Sequence, residues 1–216
     1  MRIFQSYFIS PETIFIVKSI PKILIFLRLL IGFLILIFSL LNINHYPIVA
    51  VVLFAIGLLT DIFDGIIARR LNISTENLRR LDSSIDQIFY ILIGIATFIE
   101  CPHFFYSNKI KLIILLSIEA LTYIICYLKF KKEIATHSIA SKIWTLILFA
   151  TIIQIITTFN STVLFQFCFY VGIITRLEII SIILVLRNWT NDVPSLYQAI
   201  QLRNGKPIKR HKLFNG

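Results

Sequence analysis

Glycine and proline are scarce, 7 and 6 in 216 residues, so the chain has few turn-forming positions and no glycine-rich tract or long linker to separate a second domain. No internal repeat divides it either, and one domain over residues 1–216 is expected. Charge is also thin. Only 15% of residues are charged against 57% hydrophobic, with a mean hydropathy of +0.86, which excludes an ordinary soluble domain. Runs of alternating apolar and polar residues are missing, and with them the signature of a membrane barrel. The three cysteines, Cys101, Cys126 and Cys168, have no paired spacing, which excludes a disulfide framework and a zinc site and leaves small buried side chains. The start, MRIFQSYFISPETIF, has no basic lead into an apolar core and no small-residue cleavage site, so no removable signal peptide is expected.

What is present is a series of apolar stretches near the 20 residues that a helix needs to cross a bilayer. The expected architecture is an all-α integral membrane protein with six transmembrane helices, at about residues 23–41, 48–67, 82–105, 110–128, 143–159 and 163–186. Residues 11–20 mix apolar and polar positions ahead of Lys22, which predicts an amphipathic interfacial helix within an N-terminal segment, 1–22. A polar tail follows from Arg187. The formal net charge is +10, but the basic residues flank apolar spans, where anionic lipid and phosphate are nearer partners than nucleic acid. Of 21 Lys and Arg, only Lys109 and Lys111 fall beside the turns at 42–47, 107–111 and 160–161. The positive-inside rule therefore places the opposite ends of the spans, and both termini, in the cytoplasm. Tyr46, Phe104, Phe105, Tyr106, Trp144 and Trp189 fall near span boundaries and are expected to anchor the interface.

Charge concentrates in one stretch, DIFDGIIARRLNISTENLRRLDSSID from Asp61 to Asp86, with four aspartates and four arginines between apolar segments. Helical flanks put Asp61 and Asp64 at i,i+3, and Asp82 and Asp86 at i,i+4, each pair on one face. Two facing carboxylate pairs repel unless a cation lies between them, and an all-oxygen ligand set suits Mg²⁺ or Mn²⁺. Capping or solvated loop aspartates are the plain alternative for any one of them. Gly65 and Ala68 are small enough for a ligand to approach the helix closely, or simply for helices to pack. Arg69, Arg70, Arg79 and Arg80 suit phosphate oxygens, although Arg70, Arg79 and Arg80 are expected to be ordinary positive-inside anchors. Four further charges lie within spans: Arg28, Glu119, Arg176 and Glu178. Mutual pairing is their simplest account, and Arg28, about 9 Å beyond Lys22 along a helix, either snorkels or faces the aspartates. His137 has no visible partner and is expected to be solvated.

The spacing of Asp61, Asp64-Gly65, Ala68-Arg69, Asp82 and Asp86 resembles the signature of the CDP-alcohol phosphotransferase (phosphatidyltransferase) family, matching seven of its eight positions. Leu78 stands where the family has its second glycine. Pro21 followed by Arg28-Leu29-Leu30 is similar to the family's opening, with Lys22 and Ile25 in place of its usual Asn and Thr. The resemblance implies a metal-dependent transferase of phospholipid biosynthesis. An acceptor alcohol attacks the β-phosphorus of a CDP-alcohol, such as CDP-diacylglycerol, and CMP leaves. It further implies Asp61, Asp64, Asp82 and Asp86 as ligands of two Mg²⁺ or Mn²⁺ ions, with Asp86 also the general base. Gly65, Ala68 and Arg69 would bind the CDP moiety, with close packing still open for Ala68. Leu78 would narrow that pocket. Lys142, at the same membrane side, would hold an acceptor phosphate such as that of glycerol 3-phosphate or an inositol phosphate. A bacterial inner (cytoplasmic) membrane and a homodimer are expected. The alternative is an inactive relative or a non-enzymatic divalent-cation-binding membrane protein. A carrier would need polar groups reaching the far face, yet VAVVLFAIG and ILIGIATFI supply one threonine between them.

Overall fold

The computed structural model describes residues 11–207 except 72, 74 and 135–137, with side chains from residue 19 onward. Every long apolar stretch is a helix: α1 (Pro11–Leu40), α2 (Tyr46–Arg70), α3 (Glu76–Glu100), α5 (Lys109–Phe130), α6 (Ile139–Thr158) and α7 (Val163–Val185), with short α4 (Pro102–Ser107) and α8 (Leu196–Arg203). Among the described residues, six helices are long and apolar enough to cross a membrane, and no strand occurs. With no water in hydrocarbon, the backbone must satisfy its own polar groups, which helices do within each segment. Residues 11–20, expected as an interfacial helix, are helical and run without a break into the first span, with Pro21 inside α1, and residues 1–10 of the expected N-terminal segment lie outside the described residues.

Both ends of the third span differ from expectation. The third helix begins at Glu76 rather than near Asp82, because Thr75 caps it, accepting a hydrogen bond from the Leu78 backbone N–H. Asp82 and Asp86 therefore sit in the second and third turns, where neighbouring turns fix their direction. The same helix stops at Glu100 instead of Phe105. Cys101, the residue before Pro102, leaves the helical region with φ −128° and ψ 52°, and Pro102 starts α4.

Helix α1 packs against α2 and α3, α7 packs against α5, α6 and α8, and α6 bridges the two groups through α2 and α3. Association inside a membrane depends on close van der Waals fit more than on the hydrophobic effect. The central contact illustrates this. Phe54, Phe89 and Ile93 are fully buried with Ala50 and Ala96, and a Cβ placed on Gly57 would run into the Phe89 ring. The opposite faces carry Ile48, Ile110, Leu116 and Ile174, each at least 65% exposed, as lipid-facing residues should be. Several aromatics expected at the interface turn inward instead. Tyr46 and Phe104 are buried, and Trp144 Nε1 donates to the Cys168 carbonyl between α6 and α7, because each indole or ring fills a gap beside a small residue or a turn. All three cysteines are free and buried.

Of the segment expected as a polar tail, the described residues, 187–207, fold back over the end of the bundle where the aspartates lie. Val193 and Ala199 are fully buried against Ile182 and Leu186. Pro194 accepts a hydrogen bond from Ile139 N–H at the start of α6, and Trp189 Nε1 donates to the Glu133 carbonyl.

Candidate active site

Three helices supply one face each. On α1, Pro21, Ile25 and Arg28 are buried at i, i+4 and i+7. On α2, Asp61, Asp64 and Ala68 share a face, and on α3, Leu78, Asp82, Ile85 and Asp86 do. The two aspartate pairs meet as expected, and at their centre is Arg28. Its Nη1 lies 3.2 Å from Asp61 Oδ1 and 3.1 Å from Asp82 Oδ1 and pairs with Asp86. Its Nη2 pairs with Asp64. The guanidinium is 1% exposed. A cation so buried persists only when paired, and Arg28 meets this need through its two terminal nitrogens, since Nε has no hydrogen-bond partner among the described residues.

Pairing among the four intramembrane charges is thus only half of what the sequence suggests. Arg176 does pair with Glu119. Arg28 turns instead to the aspartates, because its face of α1 packs on α2 and α3, far in sequence but adjacent in space. Glu178 keeps one carboxylate oxygen without a hydrogen-bond partner among the described residues.

Exposure grades the carboxylates: 3% for Asp64, 21% for Asp82, 26% for Asp86 and 37% for Asp61. Asp64 is the floor of the site, and Asp61 and Asp86 are its open rim. Carboxylate oxygens of Asp61, Asp64 and Asp82 all lie within 4.8 Å of one another, close enough to share one hard cation that takes six or more oxygens. All four carboxylates already converge on a single positive group. If all are ionised, one guanidinium leaves three negative charges uncompensated, so the donor set fits a divalent cation in charge as well as in ligand type.

Beside the carboxylates lies a cavity of about 20 Å³, lined in part by Ile25, Asp64, Gly65, Ala68, Leu78 and Asp82. That is room for about one water. Leu78 fills the rest: it is buried with Ile25, Ala68 and Ile85 in one apolar cluster. Of the three departures from the family pattern, Ile25 and Leu78 pack together at this pocket, while Lys22 is exposed. Gly65 makes space for a neighbour, because a Cβ there would lie 3.3 Å from Arg69 Nη1. The Arg69 guanidinium folds back over Gly65 toward the aspartates. Ala68 is buried between Ile25 and Leu78, as the packing alternative for this residue requires.

The other basic residues divide. Arg70 is exposed, and Arg80 forms a two-pronged pair with Glu133, both distances 2.8 Å, as surface anchoring predicts. Arg79 does not follow that expectation. It lines the cavity and pairs with Asp192 Oδ2 at 2.7 Å. Lys142, in the first turn of α6, lies within electrostatic reach of Asp192, Arg69, Arg79 and Asp61. Sequence reasoning passed over Asp192 altogether, since a lone acid in a basic segment gives no spacing to read. His137 lies outside the described residues.

The model of the CDP-alcohol phosphatidyltransferase family matches residues 18–196, from just before the first span to the start of α8. The chain belongs to that family. No curated protein and no solved structure is significantly similar to it. As a CDP-alcohol phosphatidyltransferase the chain is a membrane-bound transferase of phospholipid biosynthesis, whose family reaction moves a phosphatidyl group from a CDP-linked alcohol to a hydroxyl acceptor with a divalent metal. Every residue of the signature lies inside the matched range, and so does Asp192.

Proposed function

We propose that the enzyme transfers the phosphatidyl group of CDP-diacylglycerol to a small phosphorylated alcohol, such as glycerol 3-phosphate or an inositol phosphate, and releases CMP. The observation that carries this is the convergence of four carboxylates from two helices at one end of the bundle, with basic side chains gathered above them. Asp61, Asp64, Asp82 and Asp86 would hold Mg²⁺ or Mn²⁺, in two ions. Bound there, the metal would neutralise the diphosphate and stabilise the departing CMP oxygen.

The chain's own groups divide the remaining work. Arg69, folded over Gly65, is placed to meet the diphosphate with a two-pronged guanidinium. Gly65 offers the helix surface along which the nucleotide lies, while Ala68 packs beneath it against Ile25 and Leu78. Asp86, on the open rim, takes the proton of the acceptor hydroxyl, whose oxygen then forms a bond to the β-phosphorus as the bond from that phosphorus to the CMP oxygen breaks. Asp64 is too buried to touch an acceptor, which favours the rim carboxylate as base. Lys142 takes the acceptor phosphate. Basic residues crowd the same membrane side, which supports a cytoplasm-facing site in a bacterial inner membrane, and the protein is proposed to act as a homodimer.

The test is CMP release by purified protein with CDP-diacylglycerol, Mg²⁺ or Mn²⁺, and paired acceptors with and without phosphate. Release that needs both metal and acceptor, and is abolished by chelation, is expected. No release with any acceptor would instead favour an inactive relative, for which the pocket filled by Leu78 is the supporting observation.

A further inference from the structure

Asp192 is 2% exposed and has φ 53°, a left-handed conformation that costs most residues about 1 kcal/mol and is tolerated best by Gly, Asn and Asp. A buried carboxylate in such a backbone is held by what surrounds it. Its Oδ2 accepts from Arg79 at 2.7 Å and from Asn191 Nδ2 at 3.1 Å. The next residue, Val193, is fully buried, and Pro194 is tied to the first residue of α6. Asp192 cannot leave Arg79 without unpicking the whole segment from α7 and α6.

Arg79 in turn lines the cavity with Asp64 and Asp82, and Arg69 and Lys142 lie within electrostatic reach of the Arg79–Asp192 pair. Arg79 and Lys142 thus bring cationic charge to one region beside a fixed anion, which suits the binding of a phosphate monoester. A free arginine side chain samples many rotamers, and fixing it in advance removes that entropy from the binding step. We infer that Asp192 is a positioning residue, which fixes the Arg79 guanidinium at the mouth of the site so that it receives the phosphate of the acceptor. This rests on the proposal that the acceptor is phosphorylated.

Asp192→Asn keeps the size of the side chain and tolerates the left-handed backbone, so it removes the charge alone. With CDP-diacylglycerol as donor and glycerol 3-phosphate as acceptor, the KM for acceptor is expected to rise about tenfold, with kcat and the donor KM within about twofold. Asp192→Glu should recover part of the loss. A direct probe is inorganic phosphate: its stabilising shift of the melting temperature should need a higher concentration in Asp192→Asn than in the parent protein. An acceptor KM and phosphate response unchanged in Asp192→Asn would overturn the role of Asp192, as would a uniform fall in kcat with both KM values raised. A parent enzyme that uses glycerol as well as glycerol 3-phosphate would overturn the phosphorylated acceptor itself.

Discussion

Arg28 joins all four aspartates, so changing one of its partners and changing Arg28 itself should have opposite signatures. Asp86→Asn preserves shape and one hydrogen-bonding oxygen at a 26% exposed position. The expected outcome is a folded protein with melting temperature close to the parent's and CMP release lowered by at least about 100-fold, as loss of the proposed general base entails. Substantial retained turnover would remove Asp86 from that role. Arg28→Met keeps the length and deletes the charge, leaving four carboxylates facing one another. Breaking such a buried pairing costs about 3–5 kcal/mol. A large fall in melting temperature in chelator, partly restored by Mn²⁺, is therefore expected in detergent. Indifference to Mn²⁺ would argue that the carboxylates do not take a cation.

At the scale of elements, the site is an angle between helices, and its stability depends on how closely they approach. Gly57 is one and two turns before the aspartates of α2 and lies against the Phe89 ring of α3. Gly57→Leu must push these helices apart, with a cost of about 1–3 kcal/mol, and the Mn²⁺ affinity of the carboxylate set should fall with it. An unchanged Mn²⁺ affinity would show that the site does not depend on this contact. A second contact fixes the start of α3. Arg80 holds Glu133 in the loop after α5, and its hydrogen bonds keep that carboxyl below the ordinary carboxylate value. A lowered pKa in the folded state stabilises it above the unfolded value of about 4.5, and the contribution disappears as pH falls through the lowered value. The group is exposed, so the effect is small and screened by salt. Glu133→Gln should remove a slight acid and salt sensitivity of the melting temperature and leave its value near pH 7 almost unaltered.

For the molecule as a whole, six apolar helices and the two aspartate pairs were legible because both are local patterns. Spans declare themselves by length and hydropathy, and Asp61 and Asp64, or Asp82 and Asp86, by helical spacing within one segment. Helix ends were read less well: Thr75 as a cap and Pro102 as a stop are visible in the sequence, but they compete with the apolar run around them. Residues joined across the fold were not legible. Nothing near Arg28 names its partners 33 to 58 positions away, and nothing near Arg79 points to Asp192, 113 positions on.

Composition and helical periodicity by themselves thus determined that the chain spans a membrane as helices, and that it carries two aspartate pairs, each on one helix face at the same end of its spans. Local chemistry suffices for this, since hydrocarbon forces helices and one helix turn fixes which residues share a face. The tertiary structure alone decided that Arg28 stands among those carboxylates, that Ile25 and Leu78 close the adjoining pocket together, and that the C-terminal segment brings Asp192 to Arg79. Each is a contact between segments distant in sequence, set by which faces of α1, α2, α3 and the returning chain pack together, and no spacing within one segment encodes it.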